Sequence, residues 1–243
     1  MKGVDLSHYQ KGLTIRQIRD AGNEFVIIKV TEGTGYRDDA AFDFYREAYE
    51  TGFPVGCYCY SHALTGEDAQ REARFLLDTI KGFPMPCGVF LDMEAPEQLR
   101  LVPETLRAVV DAWCGTILEA GYVPGLYGSE YSIWAKLRPE DLPDGCLAWA
   151  AHYGRQPEIP CDLWQSSDSG NIDGVTVDTD EARSDRFRTI VETGFGRSEF
   201  LPAVSPQKTP DISGAMALLV RYLQTEEFQK GFLTYMQKTE GSG

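Results

Sequence analysis

Apolar runs of strand type alternate with helical patterns along the first half of the chain. Gly3 to Leu6 is a short apolar run. Thr14-Ile15-Arg16-Gln17 reads as a capping box that opens a helix, with Ile15, Ile18 and Ala21 on one face and Gly22 as the stop. Phe25 to Val30 is β-branched and continuous, the pattern of a strand buried on both faces. A helix follows with Phe42, Tyr45, Ala48 and Tyr49 at helical spacing, closed by Gly52. Pro54 to Tyr60 predicts the third strand, and Thr65 with Asp68 caps the next helix. Gly88 to Asp92 predicts the fourth strand, and the helix from about Pro103 to Ala120 turns Leu106, Val109, Val110, Trp113 and Ile117 inward. Val123 to Tyr127 predicts the fifth strand.

Beyond this point the rhythm changes. Strand-like pieces at Leu147 to Ala151, Asp162 to Gln165 and Val175 to Asp178 leave little room for helices between them. Repeated βαβ units imply a parallel sheet with right-handed crossovers. The expected fold is therefore α/β: an irregular, TIM-like (β/α) barrel of about eight strands, its second half depleted of helices. An open doubly wound sheet is the runner-up, weakened because no Gly-rich phosphate fingerprint follows the first strand. Residues 179 to about 193 read as one closing helix. The expected organisation is a barrel over 1–193, a Gly/Ser/Pro-rich linker over 194–211 and a helical C-terminal tail over 212–243. The tail reads as an oligomerisation or docking element, or as a helix packed back on the barrel.

Charge narrows the partners. With 23 Lys and Arg against 37 Asp and Glu, the formal net charge is −14. Nucleic acid is not expected, because a basic footprint is missing. No apolar stretch approaches the roughly 20 residues of a transmembrane helix. No secretory leader is visible at Met1 to Asp5. The six cysteines are scattered and read as mostly buried free thiols.

The chemistry gathers at the carboxyl ends of the proposed strands, where barrel active sites lie. Asp5 ends the first, Tyr60 the third, Asp92 and Glu94 the fourth, Tyr127 the fifth and Asp178 the eighth. Trp149 and Tyr153 flank the sixth, and Trp164 and Gln165 end the seventh. Strand residues two apart share a face, so Asp92 and Glu94 would sit roughly 6–7 Å apart. Mutual repulsion and burial then keep one of them protonated as a general acid, which is what glycoside hydrolysis needs. A hard-cation site is the competing use of clustered carboxylates; the reading calls for no metal and no cofactor. Sugar rings stack their C–H faces on aromatics while hydroxyls bond polar neighbours. Tyr60, Tyr127, Trp149, Tyr153, Trp164 and Gln165 are the candidate substrate-binding residues, with core packing as the competing role of each aromatic.

Gly3-Val4-Asp5-Leu6-Ser7-His8-Tyr9-Gln10 resembles the opening signature of family 25 glycoside hydrolases, the N-acetylmuramidase lysozymes. Phe25 to Gly33, Gly56-Cys57-Tyr58, Leu91 to Glu94, Leu126-Tyr127, Trp149 to Tyr153, Leu163 to Gln165 and Gly174 to Asp178 follow in matching order, so the resemblance covers about residues 1–193. It implies an irregular barrel acting at the bacterial cell wall on peptidoglycan, at the β-1,4 bond between N-acetylmuramic acid and N-acetylglucosamine. It implies Glu94 as general acid, Asp92 orienting the substrate's acetamido group, and Asp5 and Asp178 completing the acidic cluster. Retaining, inverting and substrate-assisted routes stay open. Three positions depart from the family pattern: Cys59 stands where His is frequent, Ser166 where an aromatic is frequent, and Asp180 where Asn is usual. Another acetamido polysaccharide as substrate, or a catalytically inactive glycan-binding or phage-associated structural protein, is the alternative.

Overall fold

The computed structural model describes residues 1–81 and 83–193. The predicted linker and tail, and the docking or oligomeric role assigned to that tail, lie outside the described residues. Among the described residues nine strands form one sheet: β1 (Lys2–Leu6), β2 (Phe25–Glu32), β3 (Tyr36–Arg37), β4 (Val55–Tyr60), β5 (Val89–Asp92), β6 (Pro124–Ser129), β7 (Leu147–Ala151), β8 (Leu163–Ile172) and β9 (Val175–Ala182). The spatial order is β1-β9-β8-β7-β6-β5-β4-β2-β3, and β1 also pairs with β2. That extra pairing closes eight strands into a barrel, with the two-residue β3 hung on β2 outside the ring. Among the described residues, no helix is long and apolar enough to cross a membrane.

Four helices cover the first half: α1 (Ile15–Asp20), α2 (Ala41–Glu50), α3 (Gly66–Ile80) and α4 (Pro103–Glu119). The caps act as the sequence predicts, with Thr14 and Thr65 each closing a reciprocal capping box. On α4 the predicted apolar residues Leu106, Val109, Val110, Trp113 and Ile117 are all buried. On α2 the predicted face is rotated. Phe44 takes the buried position beside Tyr45 and Ala48, while Phe42 and Tyr49 are exposed. After α4 the connections hold only turns and a short 3₁₀ segment until α5 (Asp185–Glu192), which is the helix depletion expected.

Two expectations are corrected. The last strand is antiparallel to both β8 and β1, so the sheet is mixed. The predicted closing helix over 179–193 is strand as far as Ala182 and helical only from Asp185. The cause is a β8–β9 hairpin turning at Asp173 (φ 50°) and Gly174 (φ 87°). Two adjacent positive φ values are what a type I′ turn requires, and Asp-Gly supplies them at low cost. Two-residue turns join antiparallel strands, so β9 must run back down the barrel.

Alternation along the strands sorts side chains into two layers. Val4, Val26, Ile28, Cys57, Leu91 and Ala148 face outward into the helix-packed core. Phe25, Ile27, Phe90, Leu147, Trp149 and Leu163 fill the lower lumen, and Phe187 of α5 packs there against Phe25 with ring centroids 5.3 Å apart. The rings fit because Gly3 and Gly125 carry no Cβ. One built there would lie 2.4 Å from Phe25 and 2.2 Å from Phe90. The amino end of the barrel is thus a dry, aromatic plug, and polar side chains collect at the other end.

Candidate active site

Five carboxyl groups meet at the open end. Asp5 on β1 is paired directly with Asp178 on β9. Asp180, two residues further along β9, shares its face. Asp92 ends β5, and Glu94 lies just beyond it. Asp5, Asp92 and Asp180 are buried, Asp178 is half-buried, and Glu94 is open to solvent on the cleft side.

Gln165 ties the cluster together. Its Nε2 donates to Asp5 Oδ2 at 2.8 Å and to Asp178 Oδ2 at 3.3 Å. Its Oε1 accepts from Tyr127 at 2.7 Å and from Tyr153 at 3.0 Å. All its hydrogen-bonding capacity is used inside the protein. It therefore fixes the acids, whereas the sequence reading gave it to the substrate. Lys29 on β2 is buried, donates to Glu32 at 2.7 Å and stands 5.0 Å from the centre of the Tyr60 ring.

This arrangement shifts every acid toward its neutral form. Burial, then the charge of Asp178, pushes Asp5 up to about 8, against hydrogen bonds from Gln165 and Asp180. Burial, then Glu94 and Asp5, holds Asp92 well above the carboxylate range, with Lys29 pulling the other way. Glu94 is raised by burial and by Asp178, again opposed by Lys29. Asp178 is raised by burial and by Asp168. A proton-holding carboxyl open to the cleft is the equipment of a general acid.

The same shifts carry a cost in stability. A carboxyl whose folded pKa is raised stabilises the fold fully below its unfolded value and loses that contribution as pH rises through the folded value. For Asp5 the window runs from an unfolded pKa of about 3.9 to the folded value of about 8. Thermal unfolding across this interval should show Asp5→Asn gaining on the wild type as pH rises, with the largest advantage near pH 8. Parallel curves for the two proteins would contradict the shift. The substitution removes a site residue, so any gain comes at the expense of the cleft chemistry.

The structure does not bring every predicted residue to the mouth. Tyr60, Tyr127, Tyr153 and Gln165 are there, and Tyr153 exposes 46% of its surface. Trp149 is corrected to a lumen residue. It is 2% exposed, lies edge-on to Phe90 and Tyr127, and donates from Nε1 to Asp180 Oδ1 at 2.9 Å. Trp164 is corrected too. It lies one residue out of phase with inward-facing Leu163 and Gln165, donates to the His152 carbonyl at 2.7 Å and packs under Arg183. Both indoles are buried, and each N–H is bonded within the protein. The sequence reading passed over Lys29 and Tyr58. Both share strand parity with inward residues already found, Lys29 with Ile27 and Tyr58 with Tyr60, and that alternation was the signal available.

The model of glycosyl hydrolases family 25 matches residues 4–175. The chain belongs to glycoside hydrolase family 25. The match ends three residues before Asp178, so that acid's place in the cluster rests on its pairing with Asp5. Relatives of the family 25 chain include the autolytic lysozyme of Clostridium acetobutylicum, 29% identical over 214 residues, covering 84% of this chain and 63% of the relative. Lysozyme M1 of Streptomyces globisporus is 25% identical over 199 residues, covering 74% and 66% respectively. The chain thus spans just under two thirds of the length of these relatives. A family 25 glycosyl hydrolase from Bacillus anthracis shares the fold, with a TM-score of 0.67 at 17% identity over 78% of this chain and 92% of that one.

Proposed function

We propose that this family 25 chain is a muramidase. It cleaves the β-1,4 bond between N-acetylmuramic acid and N-acetylglucosamine in bacterial peptidoglycan and acts at the cell wall. The observation that carries the reading is the meeting of Asp92 at the end of β5, and Glu94 just beyond it, with Asp5 on β1 and Asp178 on β9 at one mouth. The names of the two lysozyme relatives support it.

Glu94 is the general acid: burial and the charge of Asp178 shift it toward its protonated form, and it is exposed and able to give a proton to the leaving oxygen as the glycosidic bond breaks. Asp92, at the end of the same strand, orients the acetamido group so that the substrate's own carbonyl oxygen approaches the anomeric carbon. Its buried Oδ1 makes no hydrogen bond within the described protein, which leaves an acceptor for an amide N–H. Asp178, the half-buried member of the facing pair, stabilises the positive charge that grows at that carbon, and Asp5 is held beside it by the shared Gln165 amide. Tyr60 and Tyr153 flank the bound sugars. The aromatic plug below keeps water from the underside of the acids, where a low dielectric strengthens each of these interactions.

Digestion of purified peptidoglycan, with released fragments sized by mass and their new reducing ends identified, tests the proposal. Reducing N-acetylmuramic acid ends are the expected product. Reducing N-acetylglucosamine ends would overturn the assigned bond. Release from chitin but not from walls would move the substrate to another acetamido polymer, and binding without release would make the protein a glycan-binding one.

A further inference from the structure

One acid of the mouth takes no part in the proposed hydrolysis. Asp180 on β9 is 1% exposed. Its Oδ1 accepts the Trp149 indole N–H at 2.9 Å. Its Oδ2 is buried and meets no ordinary donor, and because Asp180 pairs with Gly3 while Asp178 pairs with Asp5, its side chain is the diagonal neighbour of Asp5 on one face of the β1–β9 pair. The titratable groups that act on it are both acidic: Asp5 on β1 and Asp178 on its own strand. The buried cation Lys29, on β2, acts on Asp92 and Glu94 and is bonded to Glu32.

An ionised carboxylate only accepts hydrogen bonds. Two ionised carboxylates facing each other in a buried site would combine repulsion with the loss of hydration on both. A neutral acid at Asp180 resolves both difficulties, because it has one O–H to give and Asp5 is there to receive it.

We propose that Asp180 is a positioning residue that works as a neutral acid, donating its Oδ2 proton to an Asp5 oxygen and, together with Gln165, fixing the Asp5 carboxyl group beneath the substrate. Burial and the charge of Asp5 act in the direction this requires, and the Trp149 hydrogen bond opposes them. The three residues form a frame: Gln165 holds Asp5 from β8, Asp180 holds it from β9, and Trp149 holds Asp180 from β7. The role given to Asp5 rests on the muramidase reading; the proton on Asp180 does not.

Two substitutions and one titration test it. Asp180→Asn keeps the size and an N–H donor but cannot titrate. It should hydrolyse peptidoglycan near the wild-type rate at acidic pH, and the alkaline limb of its kcat profile should move upward. Asp180→Ala deletes the donor and should lose roughly ten- to a hundredfold in kcat, the effect of an unsatisfied buried partner expressed as a rate, with KM little changed. Equal losses in the two variants would show that an ionised carboxylate is needed and would overturn the proposal. A wild-type rate and pH profile in Asp180→Ala would overturn it as well.

The titration uses the unsubstituted full-length chain with ¹³C-labelled aspartate. The Asp180 carboxyl carbon should hold its neutral-acid chemical shift through pH 7, and a carboxylate shift at pH 6 would overturn the proposal. This measurement needs neither catalysis nor a folded variant. A chain that leaves peptidoglycan intact would defeat the functional reading alone, while the proton on Asp180 would still be decided.

Discussion

Replacing Glu94 with glutamine is expected to lower kcat on peptidoglycan by about 10²- to 10⁴-fold, the usual worth of a positioned general acid. The amide matches the acid in shape, but it has no proton to give to a leaving alkoxide. Glu94 is the acid of the cluster most open to the cleft, so little packing depends on it. Exposed substitutions of this kind stay within about 0.5 kcal/mol in stability. Removing one of several mutually repelling acids also relieves strain rather than adding it. The expected signature is a collapsed kcat with glycan affinity, by calorimetry on a chitin or wall oligosaccharide, close to that of the wild type. Hydrolysis at the wild-type rate would remove Glu94 from the reaction and leave Asp92 as the candidate donor.

Trp149→Ala is expected to act on stability first. The indole is buried among Phe90, Tyr127 and Tyr58. Emptying such a site costs about 3–5 kcal/mol. In a domain of this size, each kcal/mol lowers Tm by about 2–4 °C, so calorimetry should record a fall on the order of 6–20 °C. The alanine also leaves Asp180 Oδ1 without its donor. A surface stacking platform would behave differently, with KM rising and Tm unchanged. That pattern would return Trp149 to the substrate-binding role its sequence position suggested.

The contrast shows where the sequence was informative. Helix starts at Thr14 and Thr65 were legible because a capping box is local chemistry. The candidate acid pair at the end of β5 was legible because a strand end after an apolar run places Asp92 and Glu94 at a barrel mouth. The depth of an aromatic along the barrel axis was not legible. Trp149 and Tyr153 are four residues apart, yet one plugs the lumen and the other lines the rim. Depth depends on strand stagger around the ring, which no single strand encodes. The direction of β9 was encoded in Asp173-Gly174, but the polar run Ser166 to Asn171 resembles a loop because much of that strand faces water. Asp180 stood out only as a departure from an asparagine. As a neutral acid it offers a hydrogen-bond donor, as an asparagine amide does, and a local composition gives no view of the neighbours that would hold that proton.

The β8–β9 hairpin gives its turn an influence that reaches the acids several residues away. Pairing Asp5 with Asp178, and Gly3 with Asp180, is one choice of alignment among several that the backbone hydrogen bonds would accept. A slip of one residue would aim Val177 and Thr179 into the mouth and turn both aspartates outward; a slip of two would seat Asp180 where Asp178 belongs. The two irregularities in β8, between Gln165 and Ser167 and between Ser167 and Gly170, are where the ladder absorbs its mismatch. Asp173 and Gly174 therefore serve as a ruler: they meter how much chain is spent before the strand returns, and so decide which of its side chains the substrate meets.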